Sequence, residues 1–324
     1  MKKMEKPIVS ICIPTYNRRK ILIDCIDSIV KQEEFISNRV ELVVMDNCSD
    51  DGTCDVCLEY ERKYTNFVYA RNEVNMDDRR FPLLLSLASG KLRKLSNDRV
   101  IYTSGSLKYL CEMAQKYYDK KVHIYWGNGL KNCWHGQKAY SFSKFVEKAS
   151  YMLTWMSSFS IWDYECENIC NDTKDTELLL WQVRKSLDIA KKMERTIICN
   201  KKIMKDVAPP KKDISYGLVN VFYYNFLEIL GRYVDDNYLK MSVIQKVEKD
   251  ILYHFFSVIC FEYETSDSNL IFNNEEKITI KVEEIYKNKS YWHNYLMYYW
   301  IKKRMLLARQ NVRNYLRRLG KDDK

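Results

Sequence analysis

Three short polar clusters hold the side chains whose types and spacing suit chemistry: Thr15-Tyr16-Asn17, Asp46-Asn47 and Asn97-Asp98. Between them they offer two carboxylates, three amides, a hydroxyl and an exposed-type aromatic face. The third lies in GKLRKLSNDRV, residues 90–100, which reads like a metal-binding turn with one of its carboxylates missing. Only Asp98 there can offer a charged oxygen. One carboxylate is still compatible with Mg2+ or Mn2+, because such ions keep several waters and take substrate phosphates as ligands. The plain alternative is a polar turn.

The elements needed to bring these clusters together are legible in the hydrophobic period. IVSICI (8–13), VELVVM (40–45) and NFVYA (66–70) are apolar, β-branched runs of strand length, and LRKLS adds a fourth short one. Residues 19–31, 53–63 and 80–88 carry helical spacing instead. Strand alternating with helix predicts an α/β unit with a mostly parallel sheet and right-handed crossovers. Ligands of such sheets bind beyond the carboxyl ends of the strands, where all three clusters fall. Neither a P-loop nor a GxGxxG motif is present, so those two ways of holding phosphate are not supported. VHIYWGNG is expected as a strand and turn. The chain from Asp213 onward reads as helical, with paired prolines at Pro209-Pro210 as the best boundary. The expected division is therefore residues 1–210 and 211–324.

In that order and spacing, VSICIPTYNRRKILIDCIDSI, ELVVMDNCSDDGT and ASGKLRKLSND…GSLKYL resemble the family 2 glycosyltransferases. The resemblance covers residues 7–115 well and 150–185 loosely. It implies a GT-A fold, a Rossmann-like domain that binds a nucleotide sugar, followed here by a helical carboxyl-terminal region. It also implies the site roles. Tyr16 would lie against the base, with Pro14 and Thr15 shaping the turn. Asp46 would accept the N3–H of uracil or thymine, a donor that cytosine lacks, which favours a UDP- or dTDP-sugar. Asn97 takes the ribose-side position and Asp98 the position that binds a divalent cation, Mg2+ or Mn2+. Ser96 and Asn97 stand where the family commonly has acids, and Arg99 where another carboxylate often lies. Lys94, Arg80 and Arg99 could then neutralise the diphosphate directly. Arg18 and Asn72 complete the expected donor set.

An inverting transferase also needs a carboxylate to take the acceptor hydroxyl's proton. The resemblance places it in NDTKDTELLLW (171–181), where Glu177 and Asp175 are the candidates. Both are equally readable as acids favoured near a helix start. LTWMSSFSIW (153–162) is expected on the acceptor side, with Trp155 offering an apolar face and Ser157 and Ser158 offering hydroxyls.

Composition sets the outer limits. The 324 residues are 46% apolar, enough for a substantial core, and carry a net charge of +10. The basic excess implies an acidic partner. Seven Lys/Arg and no acid lie between residues 302 and 318, in a pattern that puts Met305, Ala308 and Val312 on one helical face and Arg309 on another. A basic amphipathic helix of this kind suits an anionic membrane surface. The protein is expected in the cytoplasm, peripheral on the inner face of the cell membrane. A lipid-linked glycan would be its acceptor, in a bacterial-type surface polysaccharide pathway. No nucleic-acid partner is expected, since the charge is not interleaved with base-stacking motifs. Cys54, Cys57, Cys166 and Cys170 could be combined into a zinc set on paper, but no histidine is suitably spaced and plain thiols are expected. The rival to an enzyme is a degenerate GT-A module that binds a nucleotide or a protein without catalysis.

Overall fold

The structure is a computed structural model that describes residues 6–130, 136–207, 212–213, 216–265, 270–272 and 277–319, excepting the side chains of 212–213 and of 313 onward. The chain divides into two compact units, one of Met1–Pro210 with Val221–Lys246 and the other of Lys211–Asn220 with Val247–Lys324. Residues 221–246 thus pack with the first unit, beyond the division expected after residue 210. The prolines of that expected boundary lie outside the described residues.

The first unit opens with β1 (Val9–Thr15), α1 (Arg19–Val30), α2 (Glu33–Ile36), β2 (Val40–Asp46), α3 (Thr53–Lys63), β3 (Phe67–Arg71), α4 (Arg80–Leu87) and β4 (Leu92–Leu95). Every residue of β1 and β2 is buried, as strands covered on both faces require. α1 turns Leu22, Cys25, Ile26, Ile29 and Val30 inward, a single helical stripe. The unit continues with β5 (Val100–Tyr102), α5 (Ser106–Tyr117), β6 (His123–Trp126), β7 (Gln137–Ser141), α6 (Phe142–Ala149), β8 (Ser160–Trp162), α7 (Trp181–Lys192), β9 (Arg195–Cys199), β10 (Met204–Asp206) and α8 (Phe226–Asp235).

The main sheet has the order β3-β2-β1-β4-β8. Its first four strands are parallel and β8 closes the edge antiparallel to β4. The register sets Thr15 opposite Asp46, so the carboxyl ends of β1 and β2 finish level. A second sheet, β6-β9-β7, and an antiparallel β5–β10 pair complete the unit. The period-based reading anticipated the four parallel strands and β6 within a residue or two. β7, β9 and β10 were not anticipated.

One close approach fixes how β4 enters the sheet. The Gly90 N–H donates to Ser10 Oγ at 2.8 Å, and Ser10 in turn donates to Glu41 at 2.5 Å. Glu41 also accepts from the Ser89 N–H and hydroxyl, at 2.8 and 2.6 Å. A Cβ on Gly90 would lie 2.5 Å from Ser10 Oγ and 2.7 Å from its backbone nitrogen, so only glycine lets the turn touch β1. The glycine of the Ala-Ser-Gly run is thus a packing requirement.

Helix α9 (Met241–Asp250) runs from one unit into the other in sequence. The second unit holds a short parallel pair, β11 (Lys212–Asp213) with β12 (Leu270–Ile271), and the helices α10 (Ser257–Glu264), α11 (Ile278–Tyr286) and α12 (Trp292–Leu319). Its core is aromatic: Phe256, Tyr286 and Tyr295 are buried with Leu252 and Val282. Lys289 pairs with Glu248 at 2.8 Å, and the Tyr286 hydroxyl donates to the Glu248 carbonyl.

Candidate active site

The three polar clusters converge, and side chains join two of them. Thr15 Oγ1, at the end of β1, donates to Asp98 Oδ2 at 3.0 Å across 83 residues of chain. Arg18 Nη1 donates to the same carboxylate, 3.0 Å from Oδ1 and 3.4 Å from Oδ2. Asp98 itself is only 1% exposed. A buried carboxylate needs a counter-charge and hydrogen bonds, and Arg18 with Thr15 supplies both.

The end of β2 is tied down more locally. Asp46, fully buried, accepts from the Ser49 N–H at 2.9 Å and the Tyr69 hydroxyl at 3.1 Å, with Arg71 Nε 3.9 Å away. A carboxylate has about four acceptor positions, and these two hydrogen bonds use half of them. The loops after β1 and β2 are knitted together: the Asn17 N–H donates to Ser49 Oγ, the Asp50 N–H to Asn17 Oδ1, and the Arg19 N–H to Asp51. Asn17 adopts a left-handed φ of 49°, which its short amide tolerates. Beside this knot Tyr16 is 41% exposed, leaving its ring open to a ligand. Pro14 lies buried in β1.

Asn72 plays a supporting part. Its Nδ2 donates to Asn47 Oδ1, which also accepts from the Met76 N–H, while Asn47 Nδ2 reaches Asn75. This amide cluster pins residues 72–76 against the end of β2. The following turn, 77–79, packs against the 176–178 turn and delivers Arg80 at the start of α4. Arg80 stands in the field of Asp78, Asp98 and Asp77; burial lowers its pKa from the usual value, and those carboxylates oppose the shift. Its Nε is buried with no hydrogen-bond partner among the described residues. Asp78, which the sequence reading passed over, is buried with Oδ2 facing the Trp181 N–H at 3.4 Å, and burial pushes it up to about 7. Its only sequence signal was its position beside Arg79-Arg80.

Several expected contacts are corrected by the geometry. Lys94 does not face a diphosphate: it is fully buried, with its ammonium donating to the carbonyls of Ser157 and Leu95. Ser157 and Ser158 do not present hydroxyls to an acceptor. Ser157 Oγ accepts the Asn97 N–H at 2.8 Å, and Ser158 Oγ donates to the Trp155 carbonyl at 2.6 Å. Trp155 packs against the main core. The segment expected on the acceptor side is therefore the wall that fixes the 96–98 turn. Ser96 accepts from the Tyr102 hydroxyl at 3.0 Å, Asn97 remains half-buried beside Asp98, and Arg99 is half-buried after it.

The two base candidates separate clearly. Asp175 is buried at a left-handed φ of 63°, with Oδ2 2.7 Å from Arg232 Nη1 and 3.7 Å from Arg184 Nε. Arg184 also grips Asp172 and Asp188. Asp175 is thus part of a structural ion network between the loop, α7 and α8. Glu177 is exposed on the single turn that packs against residues 77–79.

The residues around Asp98 do not fit a divalent cation as they stand. A Mg2+ ion requires oxygens at about 2.0–2.1 Å, whereas Asp98 is the turn's one carboxylate and a guanidinium already sits on it. Among the described residues no group of three His, Cys, Asp or Glu could hold a metal. The cysteines considered for zinc are free thiols, with Cys57 and Cys166 buried.

Residues 10–77, which include the β1 and β2 loops just described, match the profile of Glycosyl transferase family 2. This stretch of the chain is similar to glycosyltransferase family 2. Its curated relatives include the abequosyltransferase RfbV of Salmonella typhimurium, 36% identical over 121 residues, which are 36% of this chain and 34% of that protein. The match thus spans about a third of the relative's own length. Solved structures show that the chain shares the GT-A fold. The mannosyltransferase PcManGT of Pyrobaculum calidifontis, solved with GDP-Man and Mn2+, has a TM-score of 0.55 at 13% identity, covering 93% of this chain and 88% of that one. S. aureus TarS 1–349, solved with UDP-GlcNAc, has a TM-score of 0.52 at 18% identity, covering 80% of this chain and 76% of that one.

Lys94 gives a stability test of the wall behind the 96–98 turn. Burial pushes its pKa down to about 7 from 10.5. Between those values the unfolded chain binds a proton that the folded chain does not, so stability rises with pH across that window. Below pH 7 both states are charged and the burial penalty is fully present. The wild type should therefore gain up to ~1.4 kcal/mol per pH unit, relative to Lys94→Met, between pH 7 and 10. Urea denaturation of both proteins across that range checks this; parallel curves would mean Lys94 does not titrate there.

Proposed function

We propose that this chain transfers a sugar from a UDP- or dTDP-sugar to a glycan acceptor by inverting displacement. The observation that carries the reading is the join at the carboxyl ends of three parallel strands. Thr15 ends β1, stands opposite Asp46 at the end of β2, and bonds Asp98 beyond β4. Two carboxylates on either side of one strand end, with an exposed Tyr16 beside them, suit a uridine or thymidine diphosphate better than a cofactor held by glycine loops. The TarS complex with UDP-GlcNAc supports a nucleotide-sugar partner of this kind.

On this reading Asp46 selects the base, since uracil and thymine carry an N3–H and cytosine does not. Tyr16 stacks on the ring, and the arginines Arg18 and Arg80 face the diphosphate. Glu177 is the acceptor's base, because it is the exposed one of the two acids and lies on the turn nearest Arg80's loop. It would take the hydroxyl proton as the oxygen attacks the anomeric carbon, while the nucleoside diphosphate leaves. The non-catalytic alternative is favoured only by Ser96 and Asn97 in place of acids.

The acceptor side is read from the second unit. On α12, Met297 is 64% exposed, Trp300 54%, Ile301 48% and Met305 55%, an apolar surface next to Arg304 and Arg309. Lys302 and Lys303 are engaged within the unit, by Ser257 and Glu264, so not all of the basic run is free for a partner. No helix among the described residues is long and apolar enough to cross a membrane. We propose that α12 rests on an anionic membrane surface, holding the enzyme near a lipid-linked glycan in a surface polysaccharide pathway.

Three experiments test these assignments. Wild type should bind UDP more tightly than CDP by ~1–3 kcal/mol, and Asp46→Asn should narrow that gap; equal affinity for both bases in the wild type would remove Asp46 from the pocket. In Glu177→Gln, turnover should fall ~100-fold or more with donor affinity unchanged. Loss of turnover in Asp175→Asn with none in Glu177→Gln would shift the role upstream, and no turnover in the wild type with any donor would favour the binding module. The full chain should sediment with anionic vesicles at low salt and release at high salt. Trp300→Ser with Met305→Ser should weaken that association; indifference of the wild type to anionic vesicles would end the membrane proposal.

A further inference from the structure

The position that resemblance gives to a divalent cation is held here by a side chain. We propose that Arg18 stands in for that cation on Asp98, so that this site binds its nucleoside diphosphate without divalent metal. The inference rests on the reading of the site as a UDP or dTDP site, and concerns how the negative phosphates are met.

Four observations converge on it. Asp98 is 1% exposed, and both of its oxygens already accept hydrogen bonds, from Arg18 on one and from Arg18 and Thr15 on the other. The neighbours that would have completed an acidic motif are Ser96, Asn97 and Arg99, none of them anionic. A cation bound to Asp98 would have to displace a guanidinium from a buried carboxylate and break the hydrogen bonds that hold the pair. Finally, the pair is asymmetric: the Arg18 side chain is 39% exposed while that of Asp98 is 1%. The carboxylate is the anchor and the guanidinium the accessible face.

A guanidinium so held is well suited to phosphate. It carries five N–H donors in a planar fork, and only Nη1 is engaged by Asp98. The remaining donors can pair with two phosphate oxygens side by side, which a point charge cannot do. Arg80 supplies a second cation in the same field, with Nε buried and unpartnered among the described residues. Asp98 thereby becomes a positioning residue: it holds the Arg18 fork in place before the ligand arrives.

The decisive measurement is calorimetric titration of UDP into the full chain, first in EDTA and then in Mn2+. Equal affinity within twofold is expected, and Mn2+ alone should show no binding by electron paramagnetic resonance. Arg18→Gln should weaken UDP at least tenfold in EDTA, Arg18→Lys should recover part of the loss, and Asp98→Asn should weaken UDP through a loosened Arg18. UDP binding that requires Mn2+, or strengthens tenfold with it, would overturn the inference while leaving the nucleotide reading intact. So would unchanged affinity in Arg18→Gln. No binding of UDP or dTDP in either buffer would overturn the nucleotide reading, and the inference with it.

Discussion

A carboxylate removed from water must be met by charge and hydrogen bonds from its own protein, and Asp98 imposes that requirement on three separate stretches of chain. It draws the end of β1 to the end of β4 through Thr15, and it draws the residue before α1 down onto the 96–98 turn through Arg18. Because Thr15 stands opposite Asp46 in the sheet, the same tie fixes where the second carboxylate lies. The crevice is thus defined by one buried charge and the parallel register, more than by any loop's own preference.

The rest of the scaffold is arranged to make those strand ends rigid. Glu41, buried within β2, gathers Ser10 and both polar groups of Ser89, and Gly90 closes onto Ser10 where no side chain would fit. That sets the start of β4 against β1. At the other end Ser157 receives the Asn97 N–H, while its carbonyl and that of Leu95 receive Lys94. The short strand is therefore clamped before and after, and Asp98 inherits the precision of both clamps.

Much of this was readable beforehand. The apolar runs and helical stripes of the first hundred residues gave the parallel strands nearly to the residue, because each strand is buried on both faces and each helix on one. The polar ends of those strands do lie side by side. What escaped was side-chain direction. In β4, Leu92 and Lys94 share a face by the two-residue period, and Leu92 is buried, so the alternation already pointed Lys94 inward. Ser157 follows a related rule: a turn with an otherwise unpaired N–H needs a nearby hydroxyl, and Ser157 Oγ accepts the Asn97 N–H. The pairing of Arg18 with Asp98 joins residues 80 positions apart and leaves no local signal at all.

The acidic loop shows the same principle at work in selecting a function. Asp175 and Glu177 are two residues apart and indistinguishable by composition, yet the fold surrounds only one of them with cations. Arg232 and Arg184 converge on Asp175, and Arg184 is itself shared with Asp172 and Asp188. A carboxylate at the centre of such a network is held by several parts at once, and moving its proton would disturb them all. Glu177 lies one short turn further on, outside the network and open to solvent, while its turn is carried by the same packing that seats residues 77–79. The network therefore acts as a fixed base for an exposed acid: Asp175 gives the loop its shape, and that shape leaves Glu177 in solvent.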